Sequence, residues 1–277
     1  DGGGVYIEDA STPSLVNCVI SNNTSSQEGG GVHYAYGSNP EIAGCTITGN
    51  SSGGTVGGGI FCANSVGTIT DCVISNNDGS EGGGIYCLNS SPAISNSTFE
   101  TNEQTVGGGH GSAIRFAGGG TPEVSDCIFN SNLGDYAIHN DGSNSSIMGS
   151  VFVNNTNGVK CAGGGGSVIT DCCFWQTGVA INGCTDGAGN TFDFDCTYYL
   201  DEDGDGIPDG KDICPSDPDN DIDNDGVCGD VDAFPNDPTE WADSDGDGVG
   251  DNGDAFPNDP SEWADSDGDG VGDNGDV

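Results

Sequence analysis

Through the first two hundred residues, apolar and polar positions alternate only in short bursts, each too brief for an amphipathic helix. Val5-Tyr6-Ile7, Ile60-Phe61-Cys62 and Ile85-Tyr86-Cys87 each follow a glycine triplet, and the triplets begin at Gly2, Gly29, Gly57, Gly82 and Gly107, spaced by 27, 28, 25 and 25 residues. A second landmark comes later in every unit: Cys18-Val-Ile20, Cys45-Thr-Ile47, Cys72-Val-Ile74, Ser97-Thr-Phe99, Cys127-Ile-Phe129 and Ser150-Val-Phe152. An asparagine stands three residues beyond each Ile or Phe, at Asn23, Asn50, Asn77, Asn102, Asn132 and Asn155.

A unit of about 25 residues with three short period-2 stretches cannot bury an apolar face alone, whereas parallel coils stacked about 4.8 Å apart share one continuous core. The pattern therefore predicts an all-β chain, a right-handed parallel β-helix of about seven to eight coils over residues 1–200. Alternation puts Val5 and Ile7, Ile60 and Cys62, and Ile85 and Cys87 inside, with the aromatic between them outside. The glycine triplets suit corners, and the aligned asparagines suit a ladder bonded to the backbone of the next coil. Residues 179–200, with Cys184, Cys196, Phe192, Phe194, Tyr198 and Tyr199, are expected to form a cap. Over residues 1–178 the Gly-Gly-Gly-Ile and [Ile/Phe]-x-x-Asn pattern resembles the repeats of polymorphic outer-membrane proteins and other bacterial pectin-lyase-like β-helices. That resemblance implies the fold more narrowly than the function, since such helices serve adhesins, passenger domains, stalks and polysaccharide-cleaving enzymes.

From Asp201 the periodicity changes. Asp201 to Asp212, Asp221 to Asp232, Asp243 to Asp254 and Asp265 to Asp276 fit one twelve-residue template, starting 20, 22 and 22 residues apart. Calcium takes six to eight oxygens, and such a loop supplies them from positions 1, 3, 5, 7, 9 and 12, with Gly at 6 for the turn. The candidate ligands are Asp201, Asp203, Asp205, Asp209, Asp212 and the Ile207 carbonyl in the first loop. The second offers Asp221, Asp223, Asp225, Asp232 and the Val227 carbonyl, with Gly229 at position 9, where water or Asp230 must fill in. The third offers Asp243, Asp245, Asp247, Asp251, Asp254 and the Val249 carbonyl, and the fourth Asp265, Asp267, Asp269, Asp273, Asp276 and the Val271 carbonyl. Asp at position 12 and Phe-Pro-Asn-Asp-Pro spacers in place of flanking helices exclude a sensor EF-hand. Residues 201–277 resemble the thrombospondin type 3 repeats of bacterial surface proteins, which implies little regular secondary structure and folding around calcium, here about four ions. Phe234 with Trp241, and Phe256 with Trp263, are expected to make aromatic contacts between loops. Cys214 and Cys228, 14 residues apart, are the first disulfide candidate, a bridge that would stabilise by roughly 3 kcal/mol. Cys184 with Cys196 is the second.

The formal charge of −42, with Arg115, Lys160 and Lys211 the only Lys and Arg, excludes unaided binding to nucleic acid or anionic membrane. Of 45 acidic residues 27 follow Leu200, a density that demands a divalent cation. No apolar run reaches the roughly 20 residues of a membrane span, so no membrane insertion is expected within this segment. Thirteen cysteines without a CxxC pair, beside calcium loops, point to an extracellular or cell-surface setting. The stacked cysteines read as core packing, and His33, His110 and His139 as unrelated surface positions.

These features point to a non-catalytic structural or adhesive protein, a β-helix rod with a calcium-rigidified stalk. Its candidate partners are further copies of itself, stacked head to tail on an uncapped first coil as a filament, or surface glycans. Sequons at Asn22, Asn23, Asn50, Asn89, Asn96, Asn144 and Asn154 are candidate glycan acceptors. The alternative is a polysaccharide lyase or glycosidase using flank carboxylates such as Glu41, Asp71, Asp126 or Asp171, against which stands the placement of Arg115 and Lys160 in different coils. A carbohydrate-binding module would instead use an outward strip of Tyr6, His33, Phe61 and Tyr86.

Overall fold

The computed structural model describes residues 3–106, 110–192, 203 and 212–275. It divides into two compact units, Asp1–Cys196 and Thr197–Val277. The first winds through three eight-stranded sheets, which open with Val5–Ile7, Ser14–Val16 and Val19–Ser21 and close with Ile181–Asn182, Thr185–Asp186 and Thr191–Phe192. Each strand pairs in parallel with the strand one coil away, giving a solenoid of about seven turns. Residues 181–192, within the stretch expected to cap the helix, add a last strand to each of the three eight-stranded sheets, with Thr185, Gly187 and Thr191 donating their amides one coil back. Phe194, Cys196, Tyr198 and Tyr199 lie outside the described residues.

The register turns the repeat into columns. In the third sheet Ile20, Ile47, Ile74, Phe99, Phe129, Phe152 and Phe174 align inward. The rings from Phe99 to Phe174 stack with centroids 4.7–4.9 Å apart. Ile60, Cys62, Ile85 and Cys87 face the core as the alternation requires.

The asparagines form the expected ladder at the turn after the third sheet. Asn50 donates both its backbone N and its Nδ2 to Asn77 Oδ1, at 2.9 and 3.0 Å, and its Nδ2 also reaches the Ile20 carbonyl at 2.9 Å. The same pattern links Asn23 to Asn50, Asn77 to Asn102, Asn102 to Asn132 and Asn132 to Asn155. Asn50, Asn77 and Asn102 are wholly buried, so the Asn50 sequon is closed to a glycan. The glycine triplets fit against this ladder: a Cβ on Gly59 would sit 2.6 Å from the Gly84 carbonyl and 3.1 Å from the Asn77 side chain.

A second ladder runs through Cys18, Cys45, Cys72, Ser97, Cys127, Ser150 and Cys172. Cys72 N donates to Ser97 Oγ at 3.1 Å and Cys127 N to Ser150 Oγ at 3.2 Å. These thiols and hydroxyls therefore bond coil to coil as well as fill space. Burial pushes the Cys72 thiol up to about 11 and those of Cys127 and Cys172 to about 12, so all three stay protonated and unreactive near neutral pH. Cys184 bonds to Cys161 rather than to Cys196, because the last coil brings Cys161 and Cys184 to a Cα separation of 5.0 Å.

The outer face of the first sheet departs from expectation. The register aligns Tyr6, His33, Phe61, Tyr86, Arg115, His139, Lys160 and Asn182 in one column. His33 and Phe61 are buried although they point away from the core, since Val56 and the column's own neighbours pack on that face. The histidines are therefore not simple surface residues. Arg115 Nη2 holds Asp141 at 3.0 Å, its Nε lies 3.4 Å from Glu81, and its Nη1 touches His139 Nδ1. Because a guanidinium only donates, Nδ1 accepts and the His139 proton resides on Nε2, which is buried without a partner. His110 joins through Glu81, 3.5 Å away.

Two predictions follow from these ladders and columns. Asn77→Ala should cost at least about 3 kcal/mol in chemical denaturation, by orphaning several buried groups at once, whereas exposed Glu123→Ala should stay within about 0.5 kcal/mol. His139 is held down to about 3, first by burial and then by the Arg115 and Lys160 charges. The unfolded chain therefore takes up that proton first, near pH 6.5. Its stabilisation is complete above that pH and is lost as the pH falls towards 3. Melting curves of His139→Gln should lose less stability over this window than those of the native chain; equal losses would refute a neutral buried imidazole.

Candidate metal centre

Among the described residues of the second unit there is neither helix nor strand, and order comes from carboxylates capping backbone amides. In the third loop Asp243 accepts the amides of Gly246 at 2.7 Å and Gly248 at 3.0 Å, and Asp247 accepts that of Val249 at 2.8 Å. The fourth loop repeats this with Asp265, Gly268, Gly270, Asp269 and Val271. Positions 4 and 6 take the left-handed backbone, with φ of 80° and 93° at Gly246 and Gly248 and 65° and 98° at Asn224 and Gly226.

These turns send the odd positions to one side. The carboxylate oxygens of Asp221, Asp223 and Asp225 converge within 4.8 Å of one another, as do those of Asp243, Asp245 and Asp247 and of Asp265, Asp267 and Asp269. One oxygen (Oδ2) on each of Asp223, Asp225, Asp245 and Asp247 is buried with no hydrogen-bond donor, and so is one on Asp212. Loss of hydration, then the adjoining Asp225 or Asp247 carboxylate, holds Asp223 and Asp245 above the usual carboxylate range. Crowded acceptors without donors are the environment a hard divalent cation neutralises, and a set with no thiol or imidazole selects calcium-like ions over zinc. Among the described residues no hydrogen bond occupies the carbonyls of Val227, Val249 or Val271, which leaves position 7 open to such an ion.

Other expected ligands sit differently. Asp251 accepts both the amide and the hydroxyl of Ser244, at 2.7 and 2.6 Å, and Asp273 does the same with Ser266. At position 12, Asp232 and Asp254 are buried and each uses one oxygen to cap the amide of Phe234 or Phe256 at 2.7 Å. In the second loop the carboxylate beside Gly229 belongs to Asp217, whose Oδ2 accepts the Asp230 amide at 2.9 Å, while Asp230 itself is exposed. Cys214 and Cys228 form the bridge suggested by their spacing. No ring pairing joins Phe234 to Trp241 or Phe256 to Trp263; Trp241 and Trp263 are exposed, and the spacers close instead through Ala233 N to Trp241 O and Ala255 N to Trp263 O, both 3.2 Å. Asp201, Asp205, Ile207, Asp209 and Asp276 lie outside the described residues.

Asp71, Asp126 and Asp171 each occupy a left-handed turn residue, and Glu41 accepts the Ser14 hydroxyl at 2.9 Å. Arg115 and Lys160, though in different coils, share one column with His139, an alignment that residue spacing alone had not revealed.

A family model described as a right handed beta helix region matches residues 1–108 and 55–196, and its match does not extend over the aspartate loops. No curated protein and no solved structure matches the chain. With parallel coils in register and that match spanning residues 1–196, the chain belongs to the right-handed β-helix family.

Proposed function

We propose that this is a non-catalytic extracellular or cell-surface protein in which a β-helix rod is joined to a calcium-binding segment of thrombospondin type 3 character. Its role on this reading is structural or adhesive, with surface glycans or further copies of the chain as partners. The observation that carries the calcium assignment is the set of buried carboxylate oxygens at positions 3 and 5 that have no donor. Asp221, Asp223, Asp225 and Asp232, then Asp243, Asp245, Asp247 and Asp254, and then Asp265, Asp267 and Asp269 would hold the ions, with the carbonyls at position 7. Asp251 and Asp273 act through Ser244 and Ser266 or through water. Bound calcium supplies the charge that lets these carboxylates share a small volume, and the loops then serve as rigid links where an apolar core is lacking.

Calorimetric titration of metal-free protein should count about four calcium ions, one per aspartate loop. Chelation should loosen the tail while the far-ultraviolet β signal of residues 1–196 persists. The joint variant Asp245→Asn with Asp247→Asn should remove about one ion from that count. An absence of binding at millimolar calcium would overturn the assignment.

A second reading, a glycan-cleaving enzyme, is favoured by one observation, the gathering of Glu81 and His110 against Arg115, His139 and Asp141 of the first sheet. It requires new reducing ends or unsaturated products from pectin or alginate, lost in a folded His139→Ala variant.

A further inference from the structure

The spacers between loops carry a carboxylate that the twelve-residue template does not use. Glu240 precedes the third loop by three residues and Glu262 precedes the fourth by three, each within the repeated Pro-x-Glu-Trp. Glu240 Oε2 accepts the amide of Asn252, position 10 of the loop, at 3.0 Å, and Glu262 Oε2 accepts that of Asn274 at 2.9 Å. Two neutral bonds accompany each: Asn252 Nδ2 to the Thr239 carbonyl at 2.7 Å and Asp251 N to the Ala242 carbonyl at 2.9 Å, matched by Asn274 to Ser261 and Asp273 to Ala264. The back half of each loop is thus zipped onto the spacer before it, with the carboxylate as the charged member.

Two glycines make room for that carboxylate. A Cβ on Gly250 would lie 2.0 Å from Glu240 Oε2, and one on Gly253 would lie 2.9 Å from Oε1. Gly272 and Gly275 stand in the same relation to Glu262, at 2.0 and 3.0 Å. No positive φ occurs at any of the four, so they are glycine for space rather than for backbone conformation. The second loop supports the same logic by contrast. It has Cys228 and Val231 where the later loops have these glycines, and there the shorter Asp217 takes the position-10 amide while Cys228 is tied to Cys214.

We propose that Glu240 and Glu262 are positioning residues for the metal loops that follow them. Each holds its loop's position-10 amide and so fixes the back half of that loop closed, which in the third loop brings Asp254 towards the ion that positions 1, 3 and 5 begin to bind. Neither glutamate need touch the metal. This inference rests on the calcium reading above.

The test is calcium titration of the full chain carrying Glu240→Ala, Glu262→Ala, Glu240→Gln, Gly250→Ala, or Glu240→Ala with Gly250→Ala. Glu240→Ala should weaken one of the sites about tenfold and leave the others unchanged, the scale of one charged hydrogen bond. Glu240→Gln, which keeps length and an acceptor oxygen, should recover most of that loss; a residue acting only by its charge would lose as much with Gln as with Ala. Gly250→Ala should weaken the same site, and the double variant should be no worse than Glu240→Ala alone, because both changes break one contact. Native-like calcium affinity in Glu240→Ala and Glu262→Ala would refute the inference while leaving calcium binding intact. A native chain that binds no calcium would instead remove the reading beneath it.

Discussion

The β-helix depends on a hydrogen bond made sideways, from the turn of one coil to the side chain of the next. Strand ladders satisfy amides inside the sheets, but at each corner the chain bends and its buried groups need acceptors of their own. The Asn23 to Asn155 ladder provides them: each Oδ1 takes two N–H groups from the preceding coil, and most of the amide nitrogens also reach back to the carbonyl of that coil's Ile or Phe. A coil that slipped by one residue would leave both the asparagine and the inward Ile or Phe misplaced. Core stacking and polar satisfaction thus enforce the same register.

That anchor explains why coil length can vary. Successive ladder asparagines are 27, 27, 25, 30 and 23 residues apart, yet they remain in line. The surplus is taken up outside the ladder. The longest coil carries an irregularity between Gly111 and Ile114, and there the column on the outer face changes from aromatic to charged. Arg115 sits nearly buried there between Glu81 and Asp141, so its charge is offset within the protein, in keeping with the general cost of an unpaired buried ion.

The second unit meets the same requirement in the opposite way. Its described residues carry no column of apolar side chains, and their amides are taken by aspartates at positions 1, 3, 5 and 12 and by the spacer carboxylates. Carboxylates so placed repel one another, which is the reason the proposed function gives these loops a cation. The two units thus differ in which group caps the turns, Asn in the β-helix and Asp in the loops.

The sequence alone determined whatever repeats. Glycine triplets, the Ile/Phe-to-Asn interval and the twelve-residue aspartate template each recur at a fixed spacing, so the coil, the ladder, the inward columns and the convergence of aspartates at positions 1, 3 and 5 could be read directly. Only the tertiary structure decided what depends on which coil lies beside which. His33 and Phe61 are outward by alternation yet buried, because the outer face is itself covered. Arg115, His139 and Lys160 form one column because strand register, not residue count, aligns them. Cys184 found Cys161 because residues 181–192 form another coil, and Glu240 and Glu262 gained a role because the loop folds back onto its spacer. Periodicity records which neighbours a residue meets along its own strand; contacts between successive turns of chain depend on geometry that the repeat does not carry.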